Sequence, residues 1–186
     1  MKTVVLSALG EEERAVEVTS RLEGLLRERE DEVQWLELSG ADVGPCLACS
    51  RCAKTGECVL RDEMTEILLE IAECDRLVLA TPIVFGVHHP LLKKAVDRFL
   101  PLAGERFTIR RGEMHHRPRF PKRFSLLGVG SLGAGAAPGE AETFERLIDR
   151  HAVNIDCPRH AAVVLWEGED AEGALREGIE RTKGQR

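Results

Sequence analysis

The sequence predicts an α/β sandwich built on a five-stranded parallel sheet. Three observations predict it. Strands that are apolar throughout alternate with amphipathic helices, and the alternation occurs five times. Strands without a polar face must be covered on both sides, which parallel sheets achieve with crossover helices. Proline and glycine punctuate the joints, and no low-complexity linker or internal repeat divides the 186 residues, so a single domain, 1–186, is expected.

The elements follow in order. Residues 2–6 are a short β-branched apolar run, read as a buried strand. Over 11–30, Ala15, Val18, Leu22, Leu25 and Leu26 recur at helical spacing, with acids in the first turn where the helix dipole favours them. Residues 33–38, with Trp35, form a second strand. A cysteine-rich loop follows at 45–61. Asp62 is the expected N-cap of a helix carrying Met64, Ile67, Leu68 and Ile71 on one face. Residues 77–81 are a third strand, stopped by Pro82. Pro90 opens the next helix and Pro101 ends it. Residues 124–129 are a fourth strand, 140–150 a helix with Phe144, Leu147 and Ile148 inward, 161–166 a fifth strand and 171–182 a last helix. Five such units suit the flavodoxin-like strand order 2-1-3-4-5. In these sheets ligands bind beyond the carboxyl ends of the strands. Three loops lie there: 7–14, 82–89 and 130–139. The cysteine loop follows the second strand and leaves at the same edge.

Cys46, Cys49, Cys52 and Cys58 form the run C-x2-C-x2-C-x5-C, four of the six cysteines in one short segment. Compact runs of this rhythm wrap thiolates around an iron–sulfur cluster. The usual ferredoxin run ends in proline and serves a second cluster, whereas here Val59 follows and no second run exists. Three other readings compete. A structural zinc site usually splits its ligands into two distant pairs. A disulfide framework belongs to small secreted chains, and no signal peptide or membrane-spanning run is evident. Reduced, ligand-free thiols are the third. Cys74 and Cys157 sit beside apolar stretches and read as small buried hydrophobes.

The net charge of −6 argues against general nucleic-acid binding. Six phenylalanines, two tryptophans and no tyrosine leave little for base-stacking platforms. A cytoplasmic address and no membrane association are expected. The stretch 107–124, most of a projecting segment at 105–123, is basic, with Arg110, Arg111, Arg117, Arg119, Lys122 and Arg123. It reads as a projecting hairpin turning at Arg110-Arg111-Gly112-Glu113. A solvated or subunit-bridging role competes there with a phosphate clamp or an acidic-partner dock. The pairs His88-His89 and His115-His116 read as non-ligands, because neighbours in a strand face opposite ways. His88 is expected to line a ligand pocket. No hydrolytic constellation stands out, and no catalytic side chain is singled out.

Pro45 with the cysteine run, then Arg61-Asp-Glu-Met64, Ala80-Thr-Pro-Ile-Val-Phe85 and Leu92-Lys-Lys-Ala-Val-Asp-Arg98, resemble the iron–sulfur flavoprotein branch of the NADPH-dependent FMN reductase family. The resemblance implies a flavodoxin-like fold and FMN held by Ser7, Gly10 and Arg14 in the first loop. It implies Pro82, Ile83, Val84, Phe85 and Gly86 in the second loop, and Gly130, Ser131 and Gly133 in the third. It implies a [4Fe–4S] cluster on Cys46, Cys49, Cys52 and Cys58, NAD(P)H or a ferredoxin as redox partner, and a homodimer or tetramer. The first loop departs from the family's Gly-Ser-Pro-Arg pattern. Here it reads Ser7-Ala-Leu-Gly-Glu-Glu-Glu-Arg14, with three acids where a phosphate would dock. Two functions follow: an FMN-dependent oxidoreductase or electron-transfer flavoprotein, or a flavodoxin-fold binding or sensor protein with a decayed flavin site that keeps its cysteines for metal or thiol chemistry.

Overall fold

The computed structural model describes residues 1–184. In chain order the elements are β1 (Lys2–Ser7), α1 (Glu13–Arg27), β2 (Glu32–Glu37), α2 (Arg51–Thr55), α3 (Met64–Glu73), β3 (Arg76–Val84), β4 (Val87–His88) and α4 (Pro90–Asp97). A 3-10 turn (Leu100–Leu102) leads to β5 (Ala103–Arg110), β6 (Glu113–Pro118), β7 (Ser125–Leu132), α5 (Glu140–Asn154), β8 (His160–Trp166) and α6 (Ala171–Arg181). The main sheet runs β2-β1-β3-β7-β8, all parallel. Its five parallel strands therefore take the expected order 2-1-3-4-5. β4 adds antiparallel to the end of β3, and β5 and β6 form a separate hairpin.

Alternation along each strand divides the core in two. Val4, Leu6, Leu77, Leu79 and Leu126 face α3, α4 and α5, where they meet Ile71, Leu92, Phe144 and Ile148. Val5, Val78, Ala80, Leu127 and Val129 face α1 and α6, where they meet Val18, Leu22, Leu175 and Ile179. These are the period-two and period-3.6 patterns of the sequence meeting each other. Phe144 is fully buried, and complete burial of a side chain that size contributes about 1.5–3 kcal/mol. Gly130 lets this layer close, because a Cβ there would lie 2.6 Å from Ile83 Cδ1 and 2.9 Å from Phe144.

Several expected boundaries move. Pro82 does not stop the third strand, which continues to Val84. The partner on one side, β1, has already ended at Ser7, and its last bond to β3 runs from Ala8 N to Ala80 O at 2.8 Å. N–H groups two residues apart point the same way, so the missing donor of Pro82 faces this vacated edge. β7 runs on through Leu132, so the loop after it starts at Gly133 rather than Gly130. α4 ends at Asp97, short of Pro101, and Pro101 lies inside the 3-10 turn. Pro90 does open α4, capped by His89, whose Nδ1 accepts from Leu91 N. The hairpin turns at Arg111 and Gly112, with φ of +48° and +78°, a two-residue turn of the type hairpins favour.

Candidate functional site

Three loops meet at the carboxyl edge of the sheet. In the first, Ser7 is fully buried and its Oγ accepts from Leu9 N at 3.4 Å. Gly10 turns at φ +85° with nothing within 4 Å of its Cα face. Glu11 and Glu12 are exposed. Arg14 donates from Nη2 to Trp166 O at 2.7 Å, and its Nε is buried without a partner. A free guanidinium N–H and the unsatisfied amides of a helix N-terminus are both anion donors.

The second loop is a tight hairpin between β3 and β4. Phe85 and Gly86 both take positive φ, +52° and +78°. Phe85 stands 89% exposed at the tip. Ile83 points into the core against Gly130, so these two offer only backbone to a ligand. Gly86 has no room for a side chain, as a Cβ would meet Thr143 at 2.7 Å. Glu140 ties this loop to the third: its carboxylate accepts from Gly86 N at 3.2 Å and Ala137 N at 3.0 Å. Glu167 accepts from Ala134 N at 2.9 Å. Ser131 is half-buried at the end of β7 and Gly133 is exposed just beyond it.

His88 does not line this edge. It turns inward, 3% exposed, and stacks on His151 with ring centroids 5.1 Å apart and Nε2 atoms 3.0 Å apart. Phe144 meets its ring edge-on. Desolvation, followed by the charges of His151 and Lys93, holds the His88 imidazole down at about 3. Burial holds His151 down at about 4.

The cysteine loop leaves the carboxyl end of β2, where Leu38 N bonds to Ser7 O. All six cysteines are free thiols. Ala48 and Ser50, on either side of Cys49, adopt left-handed backbone at φ +51° and +58°. Such residues cost on the order of 1 kcal/mol each and persist only where the surroundings over-determine them. The ends of this loop are held by a buried ion pair. Arg98 forks onto Asp62 with bonds of 2.6 and 2.8 Å and donates to Gly44 O at 2.9 Å. Asp62 also accepts from Gly44 N at 2.9 Å and Met64 N at 3.2 Å. The N-cap of α3 is Glu63 rather than the expected Asp62, which still accepts from Met64 N but mainly joins both ends of the cysteine loop to the end of α4. Its carboxyl is held low, first by the Arg98 bond and then by the Gly44 N–H. Arg98 in turn is raised, chiefly by Asp62 and also by Cys58.

Cys52 is buried and Cys49 exposed, with Cys46 and Cys58 between. Burial pushes the Cys52 thiol up, and Cys58, Cys46 and Cys49 each push it further. The four thiols therefore sit within electrostatic reach of one another. Among the described residues no group of three His, Cys, Asp or Glu converges to hold a single ion. Cys74 is inert, its thiol pushed up to about 12 by burial.

The model of the NADPH-dependent FMN reductase family matches residues 1–147. The chain belongs to the NADPH-dependent FMN reductase family. An iron–sulfur flavoprotein of Methanocaldococcus jannaschii is 28% identical over 116 residues, covering 62% of this chain and 53% of the relative. An iron–sulfur flavoprotein of Archaeoglobus fulgidus is 31% identical over 145 residues, covering 76% of this chain and 59% of the relative. The chain thus spans somewhat over half the length of both. Among solved structures, an NAD(P)H:quinone oxidoreductase from Methanothermobacter marburgensis superposes with a TM-score of 0.67 at 15% identity, over 97% of this chain and 90% of the other. An FMN-dependent NADH-azoreductase from Bacillus anthracis, in complex with FMN, gives 0.62 at 13% identity, over 97% and 95%. At such identities these two share the fold. Within the family fold, Glu140, Glu167, Thr143 and the Arg98–Asp62 pair are the site-building residues that sequence reasoning missed. Asp62 and Arg98 each carried a signal, Asp62 as the expected N-cap within Arg61-to-Met64 and Arg98 as the end of the Leu92-to-Arg98 segment, but their pairing did not.

Proposed function

We propose that this chain is an FMN-dependent oxidoreductase with a four-cysteine iron–sulfur site. The observation that carries it is the cysteine loop, clamped shut by Arg98 and Asp62 and leaving the same sheet edge as the three candidate flavin loops. Cys46, Cys49, Cys52 and Cys58 would hold a [4Fe–4S] cluster. Four thiols carried within thirteen residues suit such a cluster, whose ligands are cysteine thiolates, better than a structural zinc site, which usually splits its ligands into two distant pairs. Burial raises the Cys52 thiol, and a bound cation would compensate its thiolate.

FMN would sit with its phosphate at the N-terminus of α1, against Gly10 and the free Nε of Arg14. Its ring would lie along Pro82, Ile83, Val84, Phe85 and Gly86, with Ser131 and Gly133 beyond. Exposed Phe85 gives this edge an apolar cover against water. When bound, flavin and cluster supply hydride and one-electron chemistry; the chain supplies position. Glu140 fixes the second loop against the third, so both sides of the ring's berth are held as one. The donor is an NAD(P)H-type nicotinamide and the acceptor a small redox partner such as a ferredoxin. Phe107, Ile109 and Met114 stand exposed on one face of the β5–β6 hairpin and support a homodimer or tetramer through it.

A second reading is favoured by one observation. Glu11 and Glu12 line the phosphate end, and Glu140 and Glu167 already occupy three loop amides. That pattern suits a sensor whose flavin site has decayed. Anaerobic purification, an absorption spectrum and iron and sulfide analysis decide between them. Flavin bands with iron and sulfide in equal amounts are expected. Iron without flavin turns the conclusion to the sensor. Neither iron nor flavin refutes the oxidoreductase and leaves the sensor only its thiol chemistry.

A further inference from the structure

Arg119 leaves the base of the hairpin and enters a nest of main-chain oxygens. Nε donates to Pro101 O at 3.1 Å. Nη2 reaches Ala53 O at 2.9 Å, Ala103 O at 3.1 Å and Cys52 O at 3.3 Å. Its backbone N–H donates to Leu102 O at 2.8 Å. Two of the four acceptors belong to α2, the five-residue helix that carries Cys52. A single turn of helix does not hold itself together in water. Its terminal carbonyls need donors, and a cation at that end also meets the negative pole of the helix. Gly56 ends α2 at φ +79°, and a Cβ there would lie 3.2 Å from Arg119 Nε. Glycine at this position therefore leaves the guanidinium its berth.

Arg51 and Lys54 of α2 are exposed and, like Arg119, form no ion pair among the described residues, but Arg119 alone of the three is fixed in place by main-chain carbonyls. Arg98 is neutralised by Asp62, and Arg61 pairs with Glu57. Among the described residues no carboxylate forms an ion pair with Arg119; all its partners are carbonyls. We propose that Arg119 is a positioning residue of the cysteine site, which locks α2 so that Cys52 faces inward and sets an unneutralised positive charge beside the thiolates. The proposal rests on the reading of 46–58 as an iron–sulfur site. Four thiolates make such a site anionic, and reduction adds one further negative charge. A fixed cation close by favours the reduced form and raises the potential, since local charge and hydrogen bonding set cluster potentials. The planar fork of arginine serves several acceptors at once, which the single ammonium of lysine does not.

The test uses the full chain with Arg119→Gln and Arg119→Lys. The first arm is metal-free and anaerobic: alkylation of each cysteine by iodoacetamide, followed by mass spectrometry. Wild-type Cys52 reacts more slowly than exposed Cys49. In both variants the rate at Cys52 is expected to rise roughly tenfold, the equivalent of about 1.4 kcal/mol and in line with one or two lost hydrogen bonds. Cys74, fully buried in the core, is the internal gauge. A rise matched at Cys74 reports general unfolding and overturns the local role, as does an unchanged rate at Cys52. The second arm is an EPR-monitored redox titration after anaerobic reconstitution. Arg119→Gln is expected to lower the midpoint by about 59 mV, a tenfold change in a one-electron equilibrium. Arg119→Lys is expected to stay near wild type in potential while losing the hold on Cys52. Equal potentials in wild type and Arg119→Gln overturn the charge effect. A wild-type protein that takes up no iron overturns the cluster reading and the charge effect together, while the alkylation arm still judges the hold on α2.

Discussion

Replacing Asp62 by Asn removes one charge from the clamp and leaves its shape. Arg98 is 1% exposed and Asp62 9%. Breaking a buried pair from one side costs about 3–5 kcal/mol, because the surviving charge has no partner and little water. Asn keeps an acceptor oxygen, so one neutral hydrogen bond survives and the loss shrinks to roughly 2–4 kcal/mol. With a urea slope of about 2 kcal/mol per molar, the unfolding midpoint falls by roughly 1–2 M. The effect carries a pH signature. The Asp62 carboxyl titrates below its usual value in the folded state, chiefly because Arg98 bonds to it. A lowered folded-state pKa gives stability that is present above the unfolded value near 3.9 and lost as pH falls through the folded value. The gap between wild type and Asp62→Asn is therefore constant from neutral pH to about 5 and closes below about 4. The double change Asp62→Leu with Arg98→Met costs less than the sum of the two singles, since it strands no charge. Urea melts at several pH values measure all of this. A midpoint within about 0.3 M of wild type, near the precision of such fits, or strictly additive singles, would refute the clamp.

Two further predictions concern the other charged groups. Stability is expected to fall as pH drops below about 6.5, because His88 and His151 are held at about 3 and about 4 in the fold, so the unfolded chain takes up protons that the native state refuses. Each imidazole contributes a loss on the order of 1–2 kcal/mol by pH 5; a His88→Gln/His151→Gln variant with the same slope between pH 6.5 and 5 would show that the pair is not the cause. At the first loop, replacing Glu11 by Ser and Glu12 by Arg is expected to tighten FMN binding by at least roughly tenfold, the worth of a charge-assisted bond. Flavin-fluorescence titration reads it, and equal affinities would move the phosphate away from α1.

The sheet order was legible because β1, β3, β7 and β8 are mostly apolar and the long helices each show one apolar face; β2, with Glu32, Gln34 and Glu37, is the exception. That the cysteine loop leaves the carboxyl edge of the sheet was legible from its place after the second strand. What stayed hidden depends on partners distant in the chain. Asp62 reads locally as a helix cap, since Met64 is two residues away, whereas Arg98 lies 36 residues on. His88 reads as a residue lining a ligand pocket, and only the fold brings His151 across 63 positions to cover it. Pro82 reads as a strand stop; its tolerance is decided by where β1 ends, a property of another segment. Arg119 is one of six basic residues in a stretch whose bland reading is a solvated hairpin. Its acceptors are main-chain carbonyls, which leave no side-chain pattern to find.

The closure between Gly44 and Asp62 also has a meaning in chain entropy. Eighteen positions separate the two ends, and bringing the ends of a free loop of that length together costs about 2.6 kcal/mol from the length-dependent term alone. In this protein that confinement is complete once α4 has docked and Arg98 has found its partner. An unfolded or nicked chain would have to gather the same four thiols against its own wandering. On the proposed iron–sulfur reading, the folded chain would meet incoming iron with its search already narrowed to side-chain rotations. Assembly on the folded chain is therefore a local event, and cutting the chain between Gly44 and Asp62 would undo that advantage while removing none of the sulfurs.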